Sequence, residues 1–354
     1  MEERERHIEA LKGMQVAVTG ATGMLGSELI RQLLPYGPHI RLVVRNAGRL
    51  AALYGYLGAT PPFRIVETSL TNPVELAEAL KGVDIVFNCA ARVSFRFDEV
   101  EEIIRVNTGI AHHVVNACLE VGTGKLVHVS SIAALGEPDE TGLITEKSFP
   151  EHLVGKTGYA MSKYYSENEV WRGMKRGLKA VIVNPAVILG PGDWNGYGSA
   201  ALFAAFARGI PFYTSGVTGY VDVRDVARAM ILLSVAPEAD GNRYILSAGN
   251  FSYRELMSRV AASVGKPAPR IEAGEQTMNM LGFVSWAWAK LRGKRSNITP
   301  GIIRSALEKN YYNGEAVREA IEFNYLPMEE TIRYMAAHYL EHKERKKQWA
   351  TIRV

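Results

Sequence analysis

Two cysteines in 354 residues leave no room for a disulfide framework. Both Cys89 and Cys118 lie in apolar segments, as buried thiols in a reducing compartment would. Charge of one sign is also scarce: 41 Lys and Arg stand against 37 Asp and Glu, a net charge of +4. That excess is too small to argue for nucleic acid, and no basic stripe interleaved with aromatics is present. A basic run at 343–347 reads as a solvated helix end. No apolar run is long enough to span a membrane. The charged stretch 1–13 has no apolar centre, so it reads as a short leading helix rather than a signal peptide, and a cytoplasmic location is expected. No spacing of Cys, His, Asp or Glu resembles a metal site. His112 and His113 are adjacent, so they diverge on a helix surface instead of forming an i, i+4 pair.

What is present is an ordinary globular balance, 47% hydrophobic and 22% charged, with length for one large α/β domain or a domain with an appended lobe. Short β-branched apolar runs at 15–19, 40–44, 63–67, 84–88, 125–130 and 180–184 alternate with helical patterns at 26–34, 73–81, 100–121 and 159–175. Buried strands separated by helices predict a doubly wound parallel sheet, with ligands at the carboxyl ends of the strands. After residue 184 the alternation fails, apart from a short strand expected at 219–223. We therefore expect a dinucleotide-binding domain over 1–184, returning near 220–246, and a smaller, mostly helical substrate lobe over 185–354.

The sequence TGATGMLG at 19–26 sits between the first apolar run and the first helix. Glycine triplets are common in ordinary turns, but this one has the flanks of a phosphate-binding turn. Gly20 permits the tight turn, Gly23 lets the backbone approach a pyrophosphate, and Gly26 lets helix and strand pack closely. Thr22, Gly23, Met24 and Leu25 then present the free N–H groups of a helix start to the anion.

A second constellation lies further on. Tyr159 and Lys163 are four residues apart, on one face of a helix. A phenol is a poor acid or base at neutral pH, with a pKa of about 10, and a neighbouring ammonium lowers it. Such a pair exchanges a proton with a carbonyl or an alcohol. Ser130 and Ser131 follow the fifth strand at its carboxyl end, where a hydroxyl faces the crevice and steadies a developing alkoxide. Taken singly, an exposed helical pair and a serine turn would each be unremarkable.

Six motifs in order now resemble an extended short-chain dehydrogenase/reductase: TGATGMLG at 19–26, NCAA at 88–91, VSSIAALG at 129–136, YAMSK at 159–163, NPAVILGPG at 184–192 and YVDVRDVA at 220–227. Within that superfamily, which also holds NAD-dependent epimerases and dehydratases, the chain is most similar to the dihydroflavonol reductase and 3β-hydroxysteroid dehydrogenase branch. The resemblance implies a Rossmann-type fold. It makes Tyr159 the acid/base, with Lys163 as its partner and ribose ligand. The catalytic hydroxyl, five residues before Gly136, becomes Ser131. Asn107 is implied as a support of the active site, with a local structural amide as the competing reading. Ala90 and Ala91, Pro185 and Val187 are implied to line the cofactor. Where relatives often carry Asp-Leu against the adenine, this chain has Ser69 and Leu70.

Cofactor choice turns on the end of the second strand. An acid there suits the ribose of NAD, and an arginine suits the 2′-phosphate of NADP. The strand ends in Arg45 with no acid beside it, so NADP is favoured and NAD is second choice; Arg49 is a weaker candidate. A dehydratase of the family would have an Asp-Glu pair after the catalytic hydroxyl, where this chain has Ile132 and Ala133. The expected reaction is interconversion of a secondary alcohol and a carbonyl of a fairly apolar small molecule. The rivals are a nucleotide-sugar epimerase with tightly held NAD and a non-catalytic dinucleotide sensor. The segment 278–291, rich in Met, Phe and Trp and followed by basic residues, reads as a core or subunit-contact helix, as a lid, or as a helix on a membrane surface. The helices at 100–121 and 159–175 pair across a twofold axis in relatives, so a homodimer is implied.

Overall fold

The structure is a computed structural model and describes residues 9–352 apart from 95, 195, 197 and 292–299. Seven parallel strands form the main sheet: β1 Gln15–Thr19, β2 His39–Val44, β3 Arg64–Glu67, β4 Ile85–Asn88, β5 Lys125–Val129, β6 Ala180–Pro185 and β10 Arg243–Leu246. Their spatial order is β10-β6-β5-β4-β1-β2-β3. The order reverses at β1, so the chain leaves β1 and β4 in opposite directions and opens a crevice beyond their carboxyl ends.

The apolar strands have the composition of a sheet buried on both faces. Alternate residues serve alternate cores. Val16, Val18, Phe87, Val127, Val129 and Val181 pack under α1 Met24–Leu33 and α7 Val223–Val235. Ala17, Val86, Leu126, Ala180 and Ile182 pack under α3 Pro73–Leu80, α4 Val100–Val121 and α5 Gly158–Lys175. The helix starts are written locally. Asn72 caps α3 ahead of a proline, and Thr157 caps α5 by accepting the Ala160 N–H at 3.1 Å. Gly122, in the left-handed region, ends α4.

Most expected boundaries move by a residue or two, and two of these shifts bear on the site. The late strand is Val217–Asp222 (β9) rather than 219–223, because Asp222 accepts the Arg224 N–H at 2.7 Å and starts α7 at Val223. The fifth strand stops at Val129, one residue before the serines. Helix α2, Leu50–Leu57, lies in a stretch where the sequence pattern predicts none. The expected leading helix falls mostly on residues 1–8, outside the described residues.

Beyond β6 the lobe has its own core of Leu189, Trp194, Phe203, Tyr220, Leu256, Met335 and Tyr339. A three-stranded sheet, β7 Val187–Leu189, β9 and β11 Gly249–Ser252, runs through it, and a strand pair joins β8 Phe212–Tyr213 to β12 Ile271–Glu272. Helices α6 Ser199–Phe206, α8 Tyr253–Ser263, α9 Glu275–Leu291, α10 Pro300–Leu307 and α12 Met328–Ile352 complete it, while α11 Ala316–Ile321 packs through Val317 back against the main-sheet core. The basic run at 343–347 lies in α12, with Lys343 exposed. On α9, Met280, Phe283 and Val284 are 61%, 65% and 57% exposed, so this side of the helix is not buried in the lobe core. Arg292, Lys294 and Arg295 lie outside the described residues. Among the described residues, no helix is long and apolar enough to cross a membrane.

Candidate active site

The glycine turn between β1 and α1 is shaped by what side chains would strike. Gly20 has φ +68°, and a Cβ there would meet the backbone of Cys89 and Ala90 at 2.8 Å. A Cβ on Gly26 would stand 2.2 Å from the Gly20 carbonyl oxygen. Thr22 and Gly23 are exposed at the start of α1, whose first N–H groups face the crevice. Across it, a Cβ on Gly190 would meet the Met24 Sδ at 2.9 Å and the Val223 side chain. The turn after β4 is tied to the first strand: Thr19 Oγ1 donates to Asn88 Oδ1 at 2.7 Å and accepts the Ala90 N–H at 3.2 Å. A bare, N–H-rich cradle against a helix start fits a pyrophosphate.

The remaining residues expected at the cofactor fall into two groups. Thr22, Gly23, Ala91, Arg45 and Ser69 are exposed along the crevice side of the sheet, and Val187 is half-buried. Leu70 is different: it is 5% exposed and packs in the core under α3, so its side chain is structural and only its backbone remains for a ligand. Leu25 and Pro185 are likewise buried, which limits them to backbone or van der Waals roles. An acid does stand near the second strand's end. Glu67, on β3, turns its carboxylate to the Ala47 N–H at 3.2 Å.

At the carboxyl ends of β5 and β6 the structure brings Ser131 and Tyr159 together. Ser131 Oγ accepts the Ala133 N–H at 3.1 Å, and its hydroxyl is a neighbour that lowers the Tyr159 pKa. Ser130 points elsewhere: its hydroxyl donates to Glu167 Oε2 at 2.7 Å. Burial raises the Tyr159 pKa, and Ser131 offsets this in part. Lys163 is buried, and its Nζ donates to the Val129 carbonyl at 2.9 Å. Burial pulls its pKa down to about 8, with Cys89 and Glu167 opposing. The expected lowering of the phenol by the ammonium is therefore not what this geometry shows. The desolvation of Tyr159 prevails, and the ammonium is held by a backbone carbonyl.

Asn107 braces the site. Its amide accepts the Arg92 N–H at 2.8 Å and donates to the Arg92 carbonyl at 2.9 Å and to Ser162 Oγ at 3.0 Å. This clamps the loop after β4 to the helix that carries Tyr159. The sequence reading missed the buried group beneath: Glu167, which binds Ser130, Asn184, Arg243 and Trp171. A glutamate one turn after Lys163, on an otherwise buried helix face, was the available signal.

Known proteins of similar sequence and fold place the chain in a family. A profile of the NAD dependent epimerase/dehydratase family matches residues 16–249. The chain is similar to a putative dihydroflavonol 4-reductase from Synechocystis sp., with 29% identity covering 85% of this chain and 88% of the relative. It is 30% identical to sterol demethylase protein B of Methylococcus capsulatus, over 77% of this chain and 81% of that one. The crystal structure of gox2253 superposes with a TM-score of 0.77 at 27% identity, covering 93% of this chain and 98% of that chain. The chain belongs to the NAD dependent epimerase/dehydratase family and is an NAD(P)-dependent enzyme of the extended short-chain dehydrogenase/reductase type.

Proposed function

We propose that this enzyme reduces the carbonyl of a fairly apolar small molecule to an alcohol, with NADP(H) held in the glycine cradle. The observation that carries the reading is the hydroxyl pair of Ser131 and Tyr159 at the carboxyl end of the sheet. When bound, the nicotinamide supplies the hydride. The protein's own part is proton delivery. Burial keeps the Tyr159 phenol protonated at neutral pH, the form that a reduction consumes. Ser131 already accepts a backbone N–H, so its own proton is directed outward to the same oxygen. Lys163 keeps a positive charge at neutral pH, beside the Val129 carbonyl, and is the group to meet ribose hydroxyls.

Arg45, exposed at the end of β2, is the cation for a 2′-phosphate and supports NADP over NAD. The relative named as a dihydroflavonol 4-reductase supports reduction over epimerisation. A panel of ketones and aldehydes, followed by loss of NADPH absorbance, tests the reading. Turnover of at least one carbonyl with freely exchanging NADPH is expected. NAD that survives dialysis, with no carbonyl reduced, would identify the epimerase instead. A homodimer through the outer faces of α4 and α5 is part of the proposal, with sedimentation velocity as its check.

A further inference from the structure

Glu167 stands one helical turn beyond Lys163 and two beyond Tyr159, and it is 2% exposed. Each carboxylate oxygen holds two donors. Oε2 accepts from Ser130 Oγ at 2.7 Å and from Asn184 Nδ2 at 2.9 Å; Oε1 accepts from Arg243 Nη1 at 2.7 Å and from Trp171 Nε1 at 3.2 Å. The partners come from four places: the serine turn, β6, β10 and α5 itself.

The connections continue outward to the reacting groups. Asn184 Nδ2 also donates to the Ser131 carbonyl at 3.0 Å, so the carboxylate fixes both serines, one directly and one through an amide. Arg243 spends its other nitrogens on the loop between the serine turn and the tyrosine helix, donating to the Glu146 carbonyl at 2.8 Å and the Ser148 carbonyl at 3.1 Å. Ser148 O in turn accepts the Gly136 N–H at 2.8 Å, where the serine motif ends. The serine turn, the loop that follows it and the helix carrying Tyr159 therefore meet at one ion pair.

A buried ion pair is a weak source of stability, because desolvation cancels most of the attraction and a well-packed apolar pair serves as well. What an apolar pair cannot supply is direction. Hydrogen bonds to both carboxylate oxygens fix the rotation of the serine turn about the end of β5.

We propose that Glu167, with Arg243 as its counter-ion, is a positioning residue that aims the Ser131 hydroxyl at the Tyr159 phenol. This rests on the reading of Tyr159 as the proton donor. The role is steric and directional, since Glu167 reaches the reacting groups only through the serine turn and Asn184.

The test is the paired variant Glu167→Met with Arg243→Met, in which no buried charge is left unpaired. Protein labelled with 13C at the tyrosine Cζ reports the Tyr159 hydroxyl at neutral pH, the resonance being assigned by its loss in Tyr159→Phe. The expected result is a folded protein that binds NADPH within about threefold of the wild type. Its Tyr159 resonance is displaced, and kcat for a carbonyl from the panel falls about tenfold with KM little changed. A folded variant with the wild-type resonance and wild-type kcat overturns the proposal. Should the paired variant fail to fold, Ser130→Ala removes one arm of the network and no charge. A displaced resonance there supports the proposal, and an unmoved one overturns it. If the wild type reduces no carbonyl, the proposed function fails, while the resonance still decides the positioning role.

Discussion

The two ends of the crevice are built by opposite means. At the cofactor end the chain removes side chains: Gly20 and Gly26 leave space that one methyl would close, and the binding groups are backbone N–H donors at a helix start. At the reacting end it adds them, placing Ser131, Tyr159 and Lys163 over a buried polar layer of Glu167, Asn184 and Arg243. The first end centres on one turn, local in sequence, with the turn after β4 closing against it. The second draws on β5, α5, β6 and β10, and so depends on the whole sheet being assembled. A ligand's phosphates require closeness, which an absent side chain provides, whereas a proton in transit requires direction, which buried hydrogen bonds provide.

Substitutions can break this contrast at either end. The largest effect is expected from Gly26→Ala, whose Cβ would be driven into the Gly20 carbonyl at 2.2 Å. NADPH affinity should fall by about a hundredfold or more, as the helix is pushed off the turn; fluorescence titration of NADPH checks it. At the other end, Ser131→Ala should lower kcat by about a hundredfold while leaving NADPH binding unchanged. A loss of cofactor affinity instead would mean that the two ends are not separable. Arg45→Ala should weaken NADPH by about tenfold and leave NADH as it was. Equal loss for both would remove the case for NADP.

The smallest effect is one of pH. Burial pulls the Lys163 pKa down to about 8, and its charged form faces the Cys89 thiol just past β4, His128 from β5 and Glu167 from its own helix. Cys89 is pushed up to about 12 and His128 down to about 3, chiefly by burial, so neither changes charge near neutrality. Reduction should therefore decline as pH rises through about 8, where Lys163 loses its proton. A flat kcat profile across that range would show that the ammonium takes no part.

The contrast also explains what could be read from sequence. The glycine turn, the strand run and the spacing of Tyr159 and Lys163 are local patterns, and α4 falls at 100–121 as its apolar period predicts. The resemblance implies Ser131 rather than Ser130; no period of the sequence reports that the Ser130 hydroxyl is committed to Glu167. The resemblance implies Leu70 beside the adenine, and what it does not report is that the Leu70 side chain turns into the core under α3, leaving its backbone for that contact. The Glu167–Arg243 pair joins residues far apart in the chain, and only the register of β10 beside β6 brings them together. No period of the sequence announces such a meeting. The short α2 was missed because eight residues give too few turns for an apolar face to declare itself.

Proton delivery falls to the phenol of Tyr159, and the most direct measurement compares wild type with Tyr159→Phe on one carbonyl substrate, with NADPH binding measured alongside. The variant should bind NADPH as the wild type does and reduce the carbonyl at least about a hundredfold more slowly. Undiminished reduction by the variant would contradict that role of the phenol.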